Sequence, residues 1–199
     1  MEEVLPGVHH WTAEHPRIHA RVSSHFLTGS ATLIDPLLPD EGMGWFEDHP
    51  PQRIVLSNRH HLRHSERIAE AFGCPILCHE SGLHEFEGGP AVDGFAFGDR
   101  IADDVLAVEM DAICPDDTVL EITAGGGALL FADSLIHHDE VRFVSDGLIG
   151  DDAEEVKTRI RERARVLLEG PCDNLLFAHG DPLIGGGREA LLAVAEGGG

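Results

Sequence analysis

Apolar and polar positions alternate from the amino terminus onward. Val8, Trp11, Ile18, Val22 and Phe26 recur with turn residues between them and lead into Ala31-Thr32-Leu33-Ile34-Asp35-Pro36. Such alternation predicts a set of early antiparallel strands that ends at Asp35-Pro36. Arg53-Ile54-Val55-Leu56-Ser57 differs: it is a short apolar run of the kind found in a strand buried on both faces, and it stops at a histidine-rich loop. Residues Ser65 to Phe72 then have helical spacing, with Ile68, Ala71 and Phe72 on one side and Gly73 as the stop.

The second half repeats the logic. Gly94-Phe95-Ala96-Phe97 and Val105-Leu106-Ala107-Val108 predict short strands, and Thr118 to Thr123 and Ala128 to Ala132 flank Gly125-Gly126-Gly127, a hairpin signature. Glu154 to Glu169 carries Val156, Ile160, Ala164, Leu167 and Leu168 on one stripe and ends at Gly170-Pro171, which predicts a helix. Asn174-Leu175-Leu176-Phe177-Ala178 is a last buried strand, delivering His179 to a loop, and Arg188 to Ala195 can form a short closing helix.

Composition narrows the classes this pattern can serve. With 199 residues, 42% hydrophobic and 25% charged, the chain is expected to fold as a single domain, 1–199, with a sizeable core. Its 36 acidic residues against 14 basic ones give a formal charge of -22, and Lys157 is the only lysine. That balance argues against nucleic acid and against anionic membranes as partners, because phosphate binding needs a basic surface. No stretch has the length of a membrane span and the start is not that of a signal peptide, so the expected location is the cytoplasm. Cys74, Cys78, Cys114 and Cys172 are too few and too scattered for a disulfide framework. Cys74 and Cys78 are read as a buried thiol pair ahead of a metal site with His79.

The chemistry concentrates in three places: the loop Asn58-Arg59-His60-His61-Leu62-Arg63-His64, Asp133 after the second hairpin strand, and His179-Gly180-Asp181-Pro182 after the last strand. With Leu33-Ile34-Asp35-Pro36 closing the early strands, these pieces in this order resemble the metallo-β-lactamase superfamily over nearly the whole chain. The resemblance implies an α/β fold, a four-layer αβ/βα sandwich, with metal ligands on loops at one edge of two packed sheets. It implies a loop of pattern His-x-His-x-Asp-His, a bridging Asp after the hairpin and further histidines. Aligned from Ser57, Asn58 falls at the first histidine, His60 at the second, Leu62 at the aspartate and Arg63 at the third histidine. Ile113 or Cys114 stands where another histidine is expected. Asp133 matches the bridging carboxylate and His179 the last histidine.

The motif is therefore degenerate, and two readings stand. In the first, His64 shifts inward, so that His60, His64, Asp133 and His179 hold one divalent zinc, iron or manganese ion. His60 and Asp133 are then the catalytic residues of a small-substrate hydrolase acting on an ester, thioester or amide. In the second, no metal binds, Arg63 pairs with Asp133, and the old cleft is a non-catalytic site for a small anionic ligand. The partner is a small molecule in either case, and the exposed sheet edges of such a fold suggest a homodimer. The glycine triplets lack the spacing of a phosphate cradle, and no serine sits in a Gly-x-Ser-x-Gly elbow.

Overall fold

The computed structural model describes residues 1–150 and 152–197. Its first half is a seven-stranded sheet in sequence order: β1 (Glu2–Leu5), β2 (Val8–His15), β3 (Ala20–Leu27), β4 (Thr32–Ile34), β5 (Arg53–Val55), β6 (Ile76–His79) and β7 (Val92–Phe95). β1 to β4 pair antiparallel, and β4 to β7 pair parallel. The helices α1 (Gly44–Asp48) and α2 (Ser65–Phe72) supply crossovers, and Gly73 ends α2 in the left-handed conformation as its position predicted.

The second sheet comprises β8 (Arg100–Ala102), β9 (Val105–Glu109), β10 (Thr118–Ile122) and β11 (Ala128–Phe131), followed by a ribbon, β12 (Leu135–His137) and β13 (Val141–Phe143). α3 (Asp146–Ile149) and α4 (Ala153–Leu167) intervene before β14 (Asn174–Phe177) and β15 (Leu183–Ile184) complete the sheet, and α5 (Gly187–Glu196) closes the fold. The predicted hairpin is β10–β11, with Gly125, Gly126 and Gly127 all at positive φ. The ribbon and the short helices α1 and α3 carried no readable period.

Period-two alternation explains the layering. Ile34, Val55, Leu130 and Leu176 point between the sheets, where they meet Leu27, Val105, Leu120 and Ile122. Their neighbours Leu33 and Ile54 face outward onto Phe46 of α1 and Ile68 of α2. On the other side Leu129, Phe131, Leu175 and Phe177 face Val156, Ile160 and Ala164 of α4 and Leu191 and Val194 of α5. Helix, sheet, sheet, helix is the expected αβ/βα sandwich, and the unbroken apolar runs are strands buried on both faces. All four cysteines are free thiols. No helix among the described residues is long and apolar enough to cross a membrane.

Candidate metal centre

Two pairs of parallel strands aim their carboxyl ends at one spot. β11 and β14 pair with Phe131 opposite Phe177, so Asp133 and His179, each two residues further on, emerge side by side. β4 and β5 pair with Ile34 opposite Val55, which sets Asp35 beside the segment leading to Ser57. Asp35 is buried and left-handed (φ 48°); its carboxylate accepts from the Ser57 amide at 2.8 Å and from the Ser57 hydroxyl.

Beyond Ser57 the chain turns rather than extends. Asn58 caps a single 3₁₀ turn, Arg59–His61, its Oδ1 accepting from the His60 amide at 2.9 Å. The tight turn brings His61, not His60, into the interior. His61 Nδ1 lies 3.1 Å from Asp35 Oδ2, and its Nε2 lies 3.2 Å from Asp133 Oδ1. From the opposite side His179 Nε2 lies 3.1 Å from the same Asp133 oxygen. The donor atoms of His61, Asp133 and His179 all fall within 4.8 Å of one another.

Two of the four ligand positions expected from the sequence, Asp133 and His179, are thus brought together. His60 and His64 are not in that group. His60 contributes its amide to the Asn58 cap, and its ring lines the cleft. The His64 Nδ1 accepts from the Leu38 amide at 3.0 Å. The physical reason is one residue of register: with His61 at the second histidine of the loop pattern, the first falls at Arg59, the aspartate at Arg63 and the last histidine at His64. The signal lay in Leu62 and His64, which sit correctly only when counted from the far end of the loop.

Both substituted positions carry guanidinium groups. Arg59 is ion-paired with the buried Asp116, which also accepts from the Arg59 amide at 2.7 Å. Arg63 does not bond to Asp133. Left-handed itself (φ 43°), it donates to the carbonyls of Ser23 at 2.6 Å and Asp35 at 2.7 Å, and to that of Ala178 at 3.4 Å, so it straps the two sheets together. Asn58 donates to Cys114 Sγ at 3.2 Å where another histidine was expected. Left-handed Asp35, Arg63 and Asp111 all lie on the loops around this edge, as strained backbone often does at sites.

The electrostatics follow from this packing. Burial alone would push the His61 imidazole down, but the carboxylates of Asp35 and Asp133 outweigh it and lift the ring to about 9. Burial likewise opposes ionisation of Asp133, yet His61 and His179 hold its carboxyl well below the usual range. Asp117 is pushed up to about 7 by burial, partly offset by the Ser134 hydroxyl and reinforced by the charge of Asp133.

A pH dependence of stability results. Without metal, the stabilisation from charged His61 is complete below its unfolded value of 6.5 and is lost as pH rises toward about 9. Asp117 acts with the same sign in a lower window, from 3.8 to about 7. In chelator-treated protein the urea midpoint is therefore expected to fall between pH 7 and 9 through His61. A metal held by His61 would keep the ring neutral and remove that slope.

The donors open onto a cleft of about 720 Å³. Two histidine nitrogens and a carboxylate suit zinc or ferrous iron, and a far ring nitrogen held by a carboxylate is the usual support of a metal-bound histidine. The residues present therefore fit one metal ion, though not the full set for two.

The architecture is that of the metallo-β-lactamases. The structure superposes on the DIM-1 metallo-β-lactamase with a TM-score of 0.74 at 14% identity, covering 98% of this chain and 95% of that one. A metallo-β-lactamase family protein from Thermus thermophilus gives 0.70 at 14% identity, over 98% and 80% of the two chains. A protein crystallised in a di-iron-bound form gives 0.62 at 18% identity, over 92% and 93%. Scans against protein-family models and against curated protein sequences find no match.

Proposed function

We propose that this chain is a small-substrate hydrolase acting on an ester, thioester or amide carbonyl with one divalent metal, zinc or iron, held by His61, Asp133 and His179. The observation that carries this reading is the convergence of those three donors, with the outer nitrogen of His61 anchored on Asp35. A metal bound there supplies a Lewis acid and a water acidified toward neutrality. The chain's own residues do the rest. Asp35 accepts a hydrogen bond from the His61 Nδ1–H and so leaves the Nε2 lone pair facing the cleft. Arg63 holds Asp35, Ser23 and Ala178 in place by their carbonyls, fixing both strand pairs that carry the donors. Asp133, the one acidic residue lining the cleft among the described residues, stays ionised and can accept a hydrogen bond from a water there, which orients it.

The second reading, a metal-free binding module, is favoured by one feature: His61 and Arg63 can supply positive charge where a metal would stand, and protein groups already satisfy both. Hydrolysis of p-nitrophenyl acetate and of an acyl thioester separates the two. The metal-loaded protein is expected to turn over at least one of them, and His61→Ala to lower kcat/KM by about 100-fold or more, the upper range seen for lost ligand support. Equal rates with and without chelator would leave the binding module standing.

A further inference from the structure

The cleft inverts the charge of the protein around it. Among the described residues Asp133 is the one acidic side chain that lines it, whereas Arg21, Arg59 and Arg63 all do. Arg59 is neutralised by Asp116, and Arg63 is committed to carbonyls. Arg21 is not: it binds only the hydroxyl and carbonyl of Thr12 and has no carboxylate partner among the described residues. Glu14, opposite it on the ladder, instead lies 3.9 Å from His19. The rings of His60 and His138, also on the cleft, hold no hydrogen bond among the described residues. Polar side chains without a carboxylate partner among the described residues thus cluster at the mouth.

The remaining wall is apolar. Ile18, at the β2–β3 turn, is 57% exposed, and Leu148, on α3, is 73% exposed; both border the cleft, with Ile136 and Val144 also on its wall. Large aliphatic side chains left in water on two separate elements around one concavity mark a surface that an apolar ligand covers. The volume is that of a drug-sized molecule rather than of a bare ion.

We propose that the cleft selects a carboxylate carrying an apolar chain, its anionic head at Arg21 and its chain along Ile18, Leu148 and Ile136. Such a molecule is the product of hydrolysing an apolar acyl ester, thioester or amide, so its place in turnover rests on the hydrolase reading; its binding does not. Charge selection comes from Arg21, an exposed guanidinium with no carboxylate partner among the described residues, and affinity from apolar area.

The test is calorimetric titration of chelator-treated and metal-loaded protein with octanoate, acetate and octylammonium. Octanoate is expected to bind at least about ten-fold more tightly than either of the others, a margin well within what a few buried methylenes and one charge provide. Arg21→Gln is expected to weaken octanoate binding several-fold and leave octylammonium no weaker, and Leu148→Ser to weaken octanoate while leaving acetate unchanged. Both side chains are exposed, so the fold is retained; circular dichroism checks this. No octanoate binding, equal binding of acetate or octylammonium, or indifference to both substitutions overturns the proposal. Absence of bound metal with octanoate selectivity intact overturns the hydrolase reading alone.

Discussion

Asp35→Ala is expected to be among the most damaging single substitutions in the chain, costing about 3–5 kcal/mol, the scale of removing one partner from a buried ion pair. Asp35 is 1% exposed and its carboxylate serves the Ser57 amide, the Ser57 hydroxyl and His61 Nδ1 at once. Alanine leaves these donors buried without an acceptor and removes a negative charge that faces both His61 and Arg63. It also places a non-polar β-carbon at φ 48°, a conformation aspartate tolerates better than alanine. Urea unfolding of chelator-treated protein measures the loss. The His61 ring, followed by NMR, should then titrate below about 9, because one of its two carboxylates is gone. Asp35→Asn keeps an acceptor and should cost less stability while lowering the His61 value in the same direction. A wild-type urea midpoint in Asp35→Ala would mean that the site is not held from β4.

Gly180→Ala is expected to damage the site from the opposite side. Gly180 sits at φ 110°, and a β-carbon there would lie 1.7 Å from the carbonyl oxygen of His137, inside the main chain of β12. Nothing at the far end of a flexible side chain can yield, so the strand ends must separate. The bonds at this junction include three around His179: His137 N to His179 O at 3.3 Å, Asp181 N to His137 O at 2.9 Å, and the Ser23 hydroxyl to Gly180 O at 2.6 Å. All three flank His179, so the substitution moves a metal donor as well as the backbone. A loss of about 3 kcal/mol or more, the range of severe backbone conflicts, is expected together with loss of metal binding. Gly147→Ala, at a glycine with open space around it, is the control and should leave both unchanged.

What the sequence made legible follows from which forces are periodic. The runs Leu129-Leu130-Phe131 and Leu175-Leu176-Phe177 announce strands buried on both faces, and Asp133 and His179 are identifiable because each stands just past such a run. The ligand loop was less legible. Alternation along an extended strand turns His60 inward and its neighbour His61 outward, but a 3₁₀ turn rotates each residue by about a third of a circle. The Asn58 cap that fixes the turn is a local bond without a period. Arg63 was visible as a charge in place of a ligand, yet its partners are main-chain carbonyls in β3 and just past β4 and β14, which no pattern along the chain encodes. α3 has four residues and the ribbon strands three each, too short for either period to register.

The displaced register also changes how the substitutions are understood. Counted from His61, the loop has exchanged a histidine for Arg59 and an aspartate for Arg63. Each exchange removes a donor and adds a fixed positive charge that the fold has bonded elsewhere. A second metal ion at the Arg63 position would lack the aspartate donor and stand beside the guanidinium, whereas one ion at His61, Asp133 and His179 keeps three converging donors. Metal stoichiometry by elemental mass spectrometry, after zinc loading and desalting, tests this most directly on the wild type, His61→Ala and His60→Ala. One equivalent in the wild type and in His60→Ala, with little or none in His61→Ala, is the predicted result; two equivalents in the wild type, or loss of metal from His60→Ala with retention by His61→Ala, would contradict it.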